Sequence, residues 1–328
     1  MEKAGRDVLG AIALYLERPT WVDAAPKTAY ERSDVVWSAV GPQDVPILAL
    51  RDGFVVFEFQ RSERYSGGEV PAFALPADRK IPDNVIQAEN LRLELTYSRI
   101  KYVNAFLCCI YSSYSIVQKL GLSVQESINP ENYLLAEKID DKWKISLSSI
   151  KKISYPETRT FITEKNTFEN AIINFLDCHR CLGENTNEIL SIIYISCDQY
   201  RSHQFSSAHL IAWTAIESLL NGKWSNLIDE IDIEMGGFTS INRQRRDLLN
   251  GRDFSASVVS QILSICQKID DETLERANQI RRKRNSFAHN LEKISSDDAV
   301  SAIRLATDII SNTINSKFTS KINLSYWY

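Results

Sequence analysis

The sequence predicts an α+β N-terminal domain followed by an all-α helical bundle, and three observations carry that prediction. Two β-rich runs flank an Asp-Gly turn in "VPILALRDGFVVFEFQ" (45–60), the pattern of a hairpin. After residue 166 the chain becomes a succession of amphipathic runs separated by short polar joints, the pattern of an antiparallel bundle. The 328 residues, 44% hydrophobic and 24% charged, are enough for two cores of ordinary globular composition.

Each element has its own signal. "RDVLGAIALYLE" (6–17) reads as a short helix stopped at Pro19. The hairpin turns at Arg51-Asp52-Gly53. Residues 61–83 hold Gly67-Gly68 and three prolines and read as loop. From about 84 to 120 the pattern is helical, with Leu91, Leu95, Tyr102, Phe106, Cys109 and Ile116 near one side and Gly121 as the stop. "YLLAEKIDDKWKISLSS" (133–149) reads as a second hairpin around Asp140-Asp141. A boundary is expected near 155–166, dividing a 1–160 sensor or regulatory domain from the 161–328 bundle. Asn166 followed by Glu169 reads as a capping box. Helices are then expected over 167–182, 186–201, 205–221, 255–269, 271–290 and 296–315, with 222–254 as an insertion.

Composition and missing motifs narrow the function. A net charge of -4 argues against a coat of cations for bulk nucleic-acid binding and leaves room for a local basic site. Six cysteines without a secretory signal suggest a reducing compartment, and a cytoplasmic protein is expected. "VNAFLCCIYSSYSIV" is too short and too polar to span a bilayer, so no membrane partner is expected. The chain has no P-loop, dinucleotide glycine fingerprint or Gly-x-Ser-x-Gly elbow. Cys178-His179-Arg180-Cys181, with Cys197 and His203 downstream, has zinc-like spacing but no second Cys-x-x-Cys; inside a helix, these read as core or surface thiols. Cys108-Cys109 likewise reads as core, and His203 and His209 as structural or surface groups. No metal and no cofactor are expected.

The most informative stretch is "IRRKRNSFAHNL" (280–291). Leu274, Ala277, Ile280, Phe287 and Leu291 form an apolar stripe along one helix, and Arg284 interrupts it. Asn285 and His289 are four apart and share a face, where the amide can orient the imidazole; Arg281 lies one turn earlier on that face. Arg284 and His289 are offset by about 140° and about 7.5 Å on a regular helix. They converge only if the helix loosens, or if a second copy supplies the complement. His289 suits proton transfer, Arg284 suits charge stabilisation at phosphorus, and Arg281, Arg282 and Lys283 suit phosphate contacts. A structural reading stands beside this: Arg284 pairs with Glu217 to lock two helices, the cations form a solvated face, and His289 caps the helix.

Arg284-Asn285-Ser286-Phe287-Ala288-His289 at a helix end resembles the R-N-x-x-x-H motif of the HEPN superfamily of ribonucleases. The upstream "SAHLIAWTAIESLLNGKW" is similar to the Glu-bearing helix of the Apea-like branch, with Glu217 at the matching place. The resemblance covers about 166–316 and leaves out the first half. It implies metal-independent RNA cleavage in a composite site at a homodimer interface, with Arg284, Asn285 and His289 catalytic. It also implies a toxin or antiviral-defence effector, possible partners being an antitoxin or a trigger. Two residues after the His, where some members carry a modifiable Tyr, this chain has Leu291, so tyrosine AMPylation has no target there. The competing expectation is a non-catalytic dimerisation, interaction or RNA-binding protein.

Overall fold

The computed structural model describes residues 11–16, 20–59, 83–113, 127–129, 132–139, 142–145, 161–234, 241, 243–249, 251, 254–314 and 318. An N-terminal antiparallel sheet region is followed by a bundle of seven helices among these residues.

The sheet contains β1 (Ala11–Tyr15), β3 (Val35–Val40), β4 (Pro46–Leu50), β5 (Phe54–Glu58), β6 (Leu134–Ile139) and β7 (Lys142–Ile145), in spatial order β3-β4-β5-β1-β6-β7. The expected first hairpin is present as β4–β5. Gly53 at φ 82° makes its turn, and the Asp52 carboxylate accepts the Phe54 N–H at 3.1 Å. The second hairpin is β6–β7; Asp140 and Asp141 at its turn lie outside the described residues. A separate parallel pair joins β2 (Thr20–Val22) to β8 (Phe161–Thr163).

Residues 11–15 correct the expected first helix: they form the strand β1, between β5 and β6. The remainder of that stretch, 6–10 and 17, lies outside the described residues. Ile12, Leu14 and Leu16 join the main core, whereas Ala11 and Ala13 meet Leu50, Phe54 and Val56 in a second cluster. A strand covered on both faces loses the apolar–polar alternation that would announce it.

Helix α1 (Asp83–Ser112) packs on α2 (Lys165–Leu182) and α3 (Thr186–Arg201). Asp83, the last residue of the loop expected at 61–83, begins α1; the rest of that loop, the segment 114–120, and 155–160 of the expected boundary lie outside the described residues. One apolar cluster runs from β1, β3, β4 and β5 through α1 into the bundle. Its middle is aromatic: the Trp37 ring lies 5.2 Å from Phe168 and 6.2 Å from Phe106, and Tyr102 meets Phe175 edge-on at 5.1 Å. The Tyr102 hydroxyl donates to the Pro42 carbonyl, and a Cβ at Gly41 would stand 2.3 Å from that hydroxyl oxygen. Only glycine fits there.

Helix α2 starts at Lys165 with Glu164 as N-cap and no side-chain cap bond, so the expected Asn166 capping box does not form. Glu169 instead faces Lys165 at 3.8 Å. Helix α4 (Phe205–Glu234) continues through the first part of the stretch expected as an insertion, because Trp224, Leu227 and Ile228 keep its inner face apolar and buried. A short helix α5 (Arg243–Leu249) follows, tied to α4 by the Trp224 indole N–H donating to the Leu249 carbonyl. The bundle closes with α6 (Ala256–Ile265), α7 (Asp271–Asn290) and α8 (Ser296–Ile314). Among the described residues, no helix is long and apolar enough to cross a membrane.

Candidate functional site

The Asp270 side chain starts α7 by accepting the Thr273 N–H at 2.7 Å. Thr273, Ala277 and Ile280 then face inward, where α7 packs on α4, α6 and α8. Ile280 is the last buried residue of the helix. Beyond it the apolar stripe emerges: Phe287 is half-buried and Leu291 is 80% exposed. The R-N-x-x-x-H segment therefore occupies a part of α7 that stands out from the core.

The helix remains regular through Asn290 and stops at Leu291, in the left-handed conformation (φ 54°), whose N–H donates to the Phe287 carbonyl. Loosening of the helix does not bring Arg284 and His289 together within one chain. Arg284 is half-buried, and its Nη1 donates to the Asn285 Oδ1 at 2.9 Å. Asn285 is thus engaged with Arg284 and not with His289. The imidazole of His289 is exposed and makes no hydrogen bond among the described residues.

Glu217, expected as a partner of Arg284, is half-buried, and no ion pair joins the two. Among the described residues Arg281, Arg282 and Arg284 make no ion pair with any acid. Arg281 donates to Asn278 at 3.5 Å, and its buried Nε has no hydrogen-bond partner. Arg282 is exposed. Lys283 differs: its ammonium donates to the Glu292 carboxylate at 2.6 Å and lies 3.8 Å from that of Asp298.

These contacts shift the titration of the carboxylates. The hydrogen bond from Lys283, followed by that from Ser286, holds the Glu292 carboxyl below its ordinary range. Burial pushes the Asp298 carboxyl up, but the Ser295 hydrogen bonds, Lys283 and His209 outweigh it and leave the group lowered. The bond to Glu292 holds the Lys283 ammonium above its ordinary range.

Sequence reasoning assigned no particular place to two features of this region. His209, 1% exposed on α4, sets its ring nitrogens 3.2 Å from the Ile280 carbonyl and 3.1 Å from the Asp298 carbonyl. It joins α4, α7 and α8 immediately before the cation run; its position in an apolar run is compatible with such burial and names no partner. Glu292 folds back onto Lys283 because of the left-handed Leu291, and a leucine gives no sequence signal for that turn.

The cysteines form a core feature elsewhere. Cys108, Cys109, Cys178 and Cys197 are fully buried where α1, α2 and α3 meet, and burial pushes the Cys108 and Cys109 thiols well up. His179 hydrogen-bonds Asn187 at 3.0 Å, and burial lowers its proton affinity. His203 is exposed, at φ 59° just past α3. Among the described residues no three His, Cys, Asp or Glu side chains are grouped as a metal ion would require.

The arrangement thus pairs a guanidinium with an amide and sets further cations beside them, while the accessible His289 imidazole stands on another face of the same helix. Comparison with family models, curated proteins and solved structures gives no match, so the functional reading rests on this geometry and on the motif.

Proposed function

We propose that the protein is a metal-independent RNA endonuclease whose catalytic groups are Arg284, Asn285 and His289. The observation that carries this reading is the state of Arg284: a guanidinium on the seam of its helix, free of any acid among the described residues, and held by the neighbouring amide. An arginine serving only as a helix lock would be expected to face a carboxylate.

In the proposed reaction an imidazole takes the proton of a ribose 2′-OH as its oxygen attacks the adjacent phosphorus. The bond from phosphorus to the 5′-oxygen breaks, and that oxygen receives a proton. The products are a 2′,3′-cyclic phosphate and a 5′-hydroxyl. Arg284 stabilises the charge on the crowded phosphorane, and Asn285 keeps its guanidinium in register. Arg281 and Arg282 hold flanking phosphates without reading sequence. A regular α7 keeps Arg284 and His289 of one chain on different faces, so the reading includes a homodimer in which the two copies complete each other's site. A toxin or antiviral-defence setting, with an antitoxin or trigger as partner, belongs to the same proposal, as does a cytoplasmic location.

A second reading draws on the exposed Leu291, which equally suits a non-catalytic interaction protein. Incubation of the purified protein with end-labelled RNA separates the two. Cleavage that persists in EDTA and leaves cyclic phosphate ends is expected. Cleavage abolished by EDTA and restored by magnesium would overturn the mechanism, and intact RNA under all conditions would favour the interaction protein.

A further inference from the structure

We infer that Lys283 and Ser286 form an anion subsite for an RNA phosphate next to the scissile one, and that the Glu292 carboxylate occupies this subsite until RNA displaces it. The inference rests on the ribonuclease reading and extends it to a residue inside the motif, Ser286, and to one outside it, Glu292.

Lys283 and Ser286 are three apart on α7 and therefore adjacent on one face. The Lys283 ammonium donates to the Glu292 carboxylate at 2.6 Å, and the Ser286 hydroxyl stands close enough to help hold that carboxyl below its ordinary range. An ammonium with a hydroxyl one turn along the same face is a donor set that a phosphodiester also uses. The occupant arrives by a defined route. Leu291 turns the chain back in the left-handed conformation, Glu292 then falls over the last turns of α7, and Ile294, 2% exposed, anchors the connection. Arg281, Arg282 and Arg284 make no such pair among the described residues, so one cation of four is covered, directly by Glu292 and more distantly by Asp298 at 3.8 Å. Glu292 and the pair partners are solvent-exposed or half-buried, which allows the carboxylate to leave without unfolding anything.

The test measures binding of a labelled single-stranded oligoribonucleotide across a salt series, in His289→Ala protein so that the RNA stays whole. Glu292→Gln and Glu292→Ala should bind RNA about two- to fivefold more tightly at low salt, the range of an exposed ion pair. They should also steepen the dependence of log affinity on log salt by about 0.7, the contribution of one added phosphate contact on a single strand. Asp297→Asn removes an equal charge nearby and should change neither quantity by as much. Lys283→Ala combined with Glu292→Gln should cancel the gain, and Ser286→Ala should reduce it. If the wild-type protein cuts RNA and the Glu292 variants bind with unchanged affinity and salt slope, the subsite is overturned and the ribonuclease reading stands. If Asp297→Asn matches Glu292→Gln, general charge explains the gain and the subsite is again overturned. If neither wild type nor Glu292→Gln binds or cuts RNA, both fall.

Discussion

Arg284 and Asn285 are sequence neighbours, so their side chains leave the helix about 100° apart. The long guanidinium stem closes that gap and reaches the amide oxygen at 2.9 Å. Because no carboxylate among the described residues pairs with Arg284, replacing it orphans no buried partner among them. Arg284→Ala is expected to abolish cleavage while changing stability by no more than about 0.5 kcal/mol, the scale of ordinary surface changes. His289 is exposed, so His289→Ala should lower cleavage about 10²-fold or more with an unchanged melting temperature. A cleavage assay and a thermal melt on the same preparations check both, and wild-type cleavage by His289→Ala would end the nuclease reading. The cations and the motif are fully visible in the sequence. The bond from Arg284 to Asn285 is not, because spacing alone favoured Asn285 with His289, and side-chain reach decided otherwise.

At the scale of elements, α7 carries the site and Asp270 carries the start of α7. Bonds from the Thr273 hydroxyl and N–H hold the Asp270 carboxyl below its ordinary range. A depressed folded value means that the cap contributes fully at neutral pH and is lost as pH falls through that value. Asp270→Ala should therefore cost about 1 kcal/mol near pH 7. The gap between variant and wild type should begin to close below about pH 3.9, the ordinary aspartate value; denaturant melts at several pH values read it directly. Element types were legible wherever one face met water, as in α2, α3, α7 and α8. They were not legible in β1, where Ala11, Ile12, Ala13 and Leu14 are buried on both sides and a helix reads the same way. The helix expected over 205–221 stops short of Gly222, yet α4 runs through it, and a Cβ there would meet nothing within 4 Å. That glycine sits on an open face and turns nothing.

For the whole molecule, the emergence of α7 from the bundle leaves Leu291 and part of Phe287 without cover. If two copies meet there, Leu291→Asp should yield monomers that keep the wild-type circular dichroism spectrum and lose cleavage. Light scattering alongside the assay checks this, and a variant that is monomeric and still fully active would remove the dimer from the mechanism. This surface was foreseeable only in part. The stripe from Leu274 to Leu291 was plain in the sequence, but nothing in its period said that burial ends at Ile280.

The stacked and edge-on rings of Trp37, Phe106, Phe168, Tyr102 and Phe175 join strand, α1 and α2 in one packed mass. Removing residues 1–160 would take Trp37, Tyr102 and Phe106 from Phe168 and Phe175, both fully buried, and open those faces to water. At about 25 cal/mol per Å² and 150–250 Å² per ring, two such exposures cost roughly 8–12 kcal/mol, comparable to the entire stability of a domain. The 161–328 segment alone is therefore expected to be insoluble or molten, and the full chain to melt in a single calorimetric transition with equal calorimetric and van't Hoff enthalpies. In such a chain the front half acts as a thermodynamic clamp. A ligand that binds it raises the melting temperature of α7 by the same amount as its own, and a mutation that loosens it unsettles the proposed site on α7 as well.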